Sequence, residues 1–297
     1  MSRRKVAVRS AAAVAALALV STVTVGWVGS ERALRPAYHH YKWTLADYPD
    51  LHPEKFKVHS ATGINLEGRF FPASSRAMVI LVSGYGDTED LMLPYAEFLH
   101  RAGYNTLIYN ARARGNSGGE YVTLGVLERI DLEGIVQYAS SRPDVDPHRI
   151  GALGVSMGGA TVIMTGAYDP TLRAIVDDCG FSDVQSVIAS SFEHFIHLPA
   201  MPFAPITLWI ASYRAGIDVD KVRPVDVIGK ISPRPILIIH GLADQVVPVS
   251  NSERNFKAAR EPKELWLVPD AKHGDAHTVA KAEYESRVTG FFEKNLQ

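Results

Sequence analysis

The sequence predicts an α/β fold: a mostly parallel, eight-stranded sheet covered by helices on both faces, with a small helical cap and an N-terminal apolar helix. Three observations lead there. Apolar runs at residues 77–83, 150–155 and 235–240 lack alternation, the pattern of strands buried on both faces of a parallel sheet. Stretches of helical length lie between them, and strands alternating with helices mean a sheet packed on both sides. In residues 149–161, RIGALGVSMGGAT, a strand runs into a helix with only Ser156 at the join.

Taken in order, residues 56–60 and 64–71 read as a hairpin around Thr62-Gly63, and the folded domain, 53–297, begins near Pro53. A helix is expected near 89–102, a strand at 105–110 and a helix near 124–141. The 150–155 strand and its helix follow, then a strand at 173–178. The strand at 235–240, a helix near 250–260, a strand at 264–268 and a final helix near 276–295 complete the series. Between Gly180 and Ser232 lie about fifty residues with no clear strand, too long for a plain connection. They read as a cap, about 181–231, over the carboxyl edge of the sheet. Of its apolar residues, Phe192, Phe195, Met201, Phe203, Trp209 and Tyr213, most are expected to form the cap's own core and some to face a cleft.

Residues 1–30 differ in kind. Arg3, Arg4, Lys5 and Arg9 precede an uncharged stretch, 10–30, rich in Ala, Val and Leu. About 20 helical residues span roughly 30 Å, a bilayer's hydrocarbon thickness. A cleaved signal peptide has the same basic start but a shorter apolar region, about 7–15 residues. The length favours an uncleaved anchor over cleavage after Val28-Gly29-Ser30, and the basic flank places the following domain outside the cytoplasm. With cleavage the domain would be secreted. Residues 31–52 read as an amphipathic connector, and adjacent His39 and His40 are expected to belong to it rather than to a metal site.

The totals bound the function. With 297 residues, 46% hydrophobic and 21% charged, the chain can bury a large core. A net charge of −1, with no basic block inside the folded part, argues against nucleic acid as a partner. Its one cysteine, Cys179, excludes an intrachain disulfide and reads as a small buried hydrophobe.

Gly154-Val155-Ser156-Met157-Gly158 fits G-x-S-x-G, the strained strand-to-helix turn that holds a serine out at a sheet edge beside a helix N-terminus. A serine hydroxyl is a poor nucleophile without a base near neutrality, and histidine with an acidic partner is that base. Asp244 in HGLADQVVP follows one apolar strand and His273 in VPDAKHGDAH follows the next. His277 competes as the base but falls in the last helix. Oxyanion donors are assigned to the backbone N–H groups of Met157 and of Tyr85, in the Ser83-Gly84-Tyr85-Gly86-Asp87 loop after the third strand. The Tyr85 ring is expected either beside the pocket or at the surface.

The chain resembles the α/β-hydrolase family of serine hydrolases across nearly all of 53–297. The motifs that carry the resemblance are SGYGD, NARARGNSGG, DPHRIGALGVSMGGA, HGLADQVVP and DAKHG, in that order. It looks like the branch of small capped esterases, lysophospholipases and prolyl-oligopeptidase-like peptidases. The resemblance implies a small-molecule or lipid ester as substrate, cleaved through an acyl-enzyme. No metal or cofactor is implied, since no HExxH or clustered Cys/His spacing appears. A peptidase of the same mechanism is the enzyme alternative; such relatives often carry a large N-terminal domain that is not in this sequence, so an ester is preferred. A non-catalytic binding protein of the same fold is the alternative of another class. There are departures. Where many relatives carry D-x-R-G-H-G, this chain has Asn110-Ala111-Arg112-Ala113-Arg114-Gly115, and where many have His-Gly it has Ser83-Gly84. Both changes leave the three triad candidates in place.

Overall fold

This computed structural model describes residues 3–39 and 41–297; Met1, Ser2 and His40 lie outside the described residues, so of the adjacent histidine pair only His39 is described. Among the described residues the strands are β1 (Glu54–His59), β2 (Asn65–Phe71), β3 (Met78–Val82), β4 (Asn105–Tyr109), β5 (Ile150–Val155), β6 (Leu172–Asp178), β7 (Ile236–Gly241) and β8 (Lys263–Val268). They form one eight-stranded sheet in the order β1-β2-β4-β3-β5-β6-β7-β8. Only β2 pairs antiparallel, with β1 and with β4; every other pairing is parallel.

The helices are α1 (Arg3–Leu34), α2 (Leu93–Arg101), α3 (Glu128–Ser141), α4 (Met157–Gly166), α5 (Val184–Ser191), α6 (Ala200–Ala215), α7 (Pro224–Val227), α8 (Ser250–Ala258), α9 (Ala276–Val279) and α10 (Lys281–Asn295). Central strands β3, β4, β5 and β7 are buried at every residue, as unalternating apolar runs require. Alternate side chains serve two cores. Val79 and Leu81 pack with α2 and α10 on one face; Met78, Ile80 and Val82 pack with α3 and α4 on the other.

The expected helix at 124–141 begins later, at Glu128. Its carboxylate accepts from the Thr123 N–H at 2.7 Å and the Gly125 N–H at 2.8 Å, so those residues form a cap instead of helix. The last expected helix is two, interrupted at Ala280.

The parallel register aligns the strand ends. Val82 lies opposite Gly154, Val155 opposite Asp178, and Gly241 opposite Val268. The loops that follow β3, β5, β6, β7 and β8 therefore emerge at one edge, where chemistry sits in such sheets.

Helices α5, α6 and α7 lie in the 181–231 insert, and α5 and α6 pack in the cluster that holds Met157, the residue after Ser156. Their packing partner was not legible in the sequence: the base of α1 lies against α6. Gly26, Gly29, Ser30 and Ala33 share one face of α1 at helical spacing. A side chain at Gly26 would begin 2.1 Å from Ile206 Cγ2, and one at Gly29 would begin 2.6 Å from Thr207 Oγ1. Small residues let the two helices approach this closely. Arg214 fastens the pair, donating to Ser30 Oγ at 3.0 Å, to Glu31, and lying over the Trp27 ring at 4.7 Å. Beyond this contact residues 7–21 of α1 are exposed throughout. The stretch Ala7–Leu34 is long and apolar enough to cross a membrane.

On the opposite flank, Arg112 and Asp131 form a buried ion pair. Arg112 Nε lies 2.7 Å from Asp131 Oδ2, and Ser60 Oγ and Thr62 Oγ1 donate to Oδ1 at 2.5 and 2.7 Å. A buried charge left without its partner costs about 3–5 kcal/mol. Asp131→Ala should therefore lower stability by about that amount, read as a shift in the denaturant midpoint, whereas Glu97→Ala, which breaks an exposed pair with Arg101, should cost less than about 1 kcal/mol. Equal losses would show that the Arg112 charge finds other support.

Candidate active site

Ser156 joins β5 to α4 with φ 58° and ψ −118°, a region non-glycine residues rarely occupy. Its neighbours must be minimal. A side chain at Gly154 would begin 2.2 Å from the Gly158 carbonyl oxygen, and one at Gly158 would begin 2.2 Å from the Val82 carbonyl oxygen. The Ser156 N–H donates to Asp178 O at 2.8 Å and Ser156 O accepts from the Ala160 N–H at 3.1 Å. Met157 opens α4, where the N–H has no intrahelical acceptor.

The structure brings Ser156, His273 and Asp244 together. Ser156 Oγ lies 2.8 Å from His273 Nε2, and His273 Nδ1 lies 2.7 Å from Asp244 Oδ2. With a neutral imidazole protonated at Nδ1, the serine donates to Nε2 and Nδ1–H donates to the carboxylate. Asp244 is buried, and burial alone would raise its carboxyl. Hydrogen bonds from His240 and His273 and the nearby His273 charge overcome this and hold it well below the usual carboxylate range. The N–H groups of Val246 and Val247 donate to Oδ1, each at 2.9 Å.

His240 is a member of this network that sequence reasoning missed. It is fully buried, its Nε2 lies 2.8 Å from Val247 O and 3.3 Å from Asp244 Oδ2, and Nδ1 contacts the Ser252 hydroxyl. Its spacing of four residues before Asp244 was the available signal. His277 is directed elsewhere: Nε2 lies 3.2 Å from Glu285, and the ring packs against Tyr95, Phe98 and Tyr284.

The Gly84–Asp87 loop lies beside the serine. A side chain at Gly84 would begin 3.4 Å from Ser156 Cβ. The Tyr85 ring is half-buried beside the residue that follows Ser156. It packs against the cluster of Ala33, Met157 and Leu208, and its hydroxyl donates to Arg32 O at 2.6 Å, tying the loop to the end of α1. The connector then crosses the loop. The His39 N–H donates to Gly86 O at 3.3 Å, His39 Nδ1 lies 2.7 Å from Asp87 Oδ1, and the Tyr41 hydroxyl donates to the same oxygen. Asn110 and Arg114, the departures from the family pattern, flank this strap. Asn110 Oδ1 accepts from the Glu89 N–H at 3.1 Å, and Arg114 stacks on Tyr38 at 4.6 Å.

The cap residues correct another expectation: Phe192 is buried and stacks on Phe203, but Phe195, Met201, Trp209 and Tyr213 are exposed and form no cap core. The cap's inner side is aliphatic: Val184, Val187, Ile188 and Leu208 pack in the cluster that holds Met157. Cys179 is buried, and burial pushes its thiol up. Its Sγ lies within 4.8 Å of the Asp244 and His273 ligand atoms, which are already engaged with each other.

The chain matches the prolyl oligopeptidase family over residues 93–297. It belongs to that family. The chain is 29% identical over 252 residues to Bacillus subtilis YqkD, covering 83% of this chain and 81% of that protein. It is 29% identical over 231 residues to Escherichia coli YfhR (strain K12), covering 75% and 74%. Among solved structures, Pyrococcus furiosus esterase Pf2001 superposes with a TM-score of 0.74 and 27% identity, over 89% of this chain and 99% of that one. This prolyl oligopeptidase family member is thus an α/β-hydrolase, and the family assignment covers β4 to β8 with the loops carrying Ser156, Asp244 and His273.

Two further carboxyls end β6 beneath the serine turn. Burial pushes Asp178 up to about 6 and Asp177 up to about 7. Asp178 Oδ2 accepts from Tyr284 at 2.7 Å and Asp177 Oδ1 from the Gly180 N–H at 2.9 Å. A carboxyl raised by folding favours the native state below its unfolded value near 4, and that contribution is lost as pH climbs through the folded value. Asp177→Asn removes this titration. Relative to wild type, the variant should gain thermal stability progressively between about pH 4 and pH 8. A difference in Tm that stays constant with pH would show that Asp177 is not raised.

Proposed function

We propose that this chain is a membrane-anchored serine hydrolase that cleaves a carboxylic ester. The observation that carries the reading is the hydrogen-bonded chain Ser156–His273–Asp244 at the carboxyl edge of the sheet. In this reading His273 takes the Ser156 proton as Oγ attacks the acyl carbonyl, and Asp244 steadies the imidazolium. The Tyr85 and Met157 N–H groups face the developing oxyanion, aided by the α4 N-terminus. His273 then returns the proton to the leaving alcohol. Water hydrolyses the acyl-enzyme by the same steps in reverse roles.

The likeness to the Pyrococcus furiosus esterase, over 99% of that chain, supports an ester as substrate. The prolyl oligopeptidase family match favours, as a second reading, a peptidase using the same residues. The packing of α1 supports an anchor that is retained, since cleavage after Ser30 would bare Ile206 and Ile210 of the cap. The basic residues before the span support a catalytic domain outside the cytoplasm.

The test is labelling by a fluorophosphonate probe, with hydrolysis of p-nitrophenyl esters and peptide amides. Ser156→Ala should abolish labelling and lower turnover by roughly 10³-fold or more, and His273→Ala should match it because the two act as a unit. His277→Ala should retain most activity. A wild-type chain that neither labels nor turns over any substrate is a binding protein. Labelling that survives Ser156→Ala moves the nucleophile elsewhere, and faster cleavage of amides than esters selects the peptidase.

A further inference from the structure

The outer face of the cap has the composition of a buried one. Pro205, Trp209 and Tyr213 recur every four residues along α6, Met201 stands at a kink just before them, and all four are exposed. Met201 and Trp209 are each 70% exposed and Tyr213 is 80% exposed. The preceding turn adds exposed Phe195 and Ile196. Arg214 is the one charged residue in the α6 sequence, and it turns toward Ser30, Glu31 and Trp27 of α1. Soluble proteins seldom present so continuous an apolar surface to water.

This face does not stand alone. The adjacent face of α6 carries Ile206 and Ile210 against Gly26 of α1. Next to that contact Val23, Trp27 and Val28 of α1 are themselves exposed, and the helix continues as the uncharged, exposed stretch 10–21. Trp209 and Tyr213 stack at 6.4 Å, and Arg214, the next residue along, covers the Trp27 ring of α1. Trp and Tyr collect at the level where a bilayer meets water. Beneath the same cap, Leu208, Val187 and Ile188 lead inward to Met157, the residue after Ser156.

We propose that the cap is seated in a phospholipid bilayer: the α6 stripe enters the leaflet beside α1, and the cleft over Ser156 receives its ester directly from the membrane. The substrate class is then an acyl lipid of that leaflet. An acyl chain drawn from the leaflet would pass along aliphatic side chains without entering water. This rests on the reading of α1 as a membrane helix and of Ser156 as nucleophile.

The full chain, reconstituted in phosphatidylcholine vesicles, tests it. Nitroxides are placed at Leu17→Cys in α1, Met201→Cys and Tyr213→Cys in the cap, and Glu253→Cys on α8 as an aqueous reference. Native Cys179, buried with its thiol pushed up, stays unlabelled. Collisions with oxygen should exceed those with a water-soluble nickel chelate at Leu17, Met201 and Tyr213, and the reverse should hold at Glu253. Lipid-like values at Leu17 with water-like values at both cap sites would overturn the proposal while leaving the anchor intact. Water-like values at Leu17 as well would overturn the anchor reading with it. As a second readout, the double substitution Trp209→Glu and Tyr213→Glu sets two charges against the bilayer. The ratio of turnover on a vesicle-borne lysophospholipid to turnover on a soluble p-nitrophenyl ester should fall about tenfold or more. An unchanged ratio would remove the membrane from substrate delivery.

Discussion

One strained backbone position holds the carboxyl edge of the sheet in place. At Ser156 the chain adopts φ 58°, which costs of order 1–3 kcal/mol and persists only where the surroundings over-determine it. Here they do. The N–H is bonded to Asp178 and the carbonyl to Ala160, while Gly158 lies against the Val82 carbonyl of the neighbouring strand. Relaxing the serine would break the β5–α4 junction at the centre of the sheet. The same junction sets the position of α4, of the Met157 N–H and of the Gly84 loop, so the geometry around Oγ follows from how tightly two strands and a helix meet.

The carboxylates at this edge show how burial and hydrogen bonding compete. Asp177, Asp178 and Asp244 are all buried within one neighbourhood, yet burial pushes the first two up and Asp244 stays ionised. The difference is in donors. Asp244 receives two backbone N–H groups at 2.9 Å and faces two histidines, whereas Asp177 Oδ2 and Asp178 Oδ1 have no partner among the described residues. Charge-assisted hydrogen bonds are about twice as strong as neutral ones, and the fuller set at Asp244 outweighs desolvation where the fewer bonds at Asp177 and Asp178 do not. His240 takes part in that sum, which ties the orientation of Asp244 to Ser252 on α8.

The N-terminal helix and the sheet edge that carries Ser156 are one structure. The small-residue face of α1 meets α6, Leu34 O accepts from the Val122 N–H at 2.9 Å, and Tyr85 reaches back to Arg32. The connector closes the arrangement through His39 and Tyr41 on Asp87. Loop, cap and apolar helix therefore have little freedom to move separately, and the orientation of α1 in its surroundings sets the orientation of the edge that carries Ser156.

What the sequence determined by itself is what depends on local period and local chemistry. Unalternating apolar runs marked the strands, glycines around a serine marked the strained turn, and an acid and a histidine after successive strands marked the segments that now meet at Ser156. Where a helix began late, at Glu128, the reason was still local: a side chain bonded to the backbone just ahead of it. What only the tertiary structure decided is what depends on which surface meets which. Gly26 and Gly29 read as ordinary residues of an apolar span until α6 lies against them. Tyr85 was free to be a pocket wall or a surface ring until Arg32 offered a carbonyl. His240 looked like the end of a strand until Asp244 folded back onto it. The cap aromatics show the limit most clearly, because an apolar residue carries no mark of direction. Trp209 and Tyr213 are apolar whichever way they face, and here long-range packing turns them outward beside the membrane-length helix.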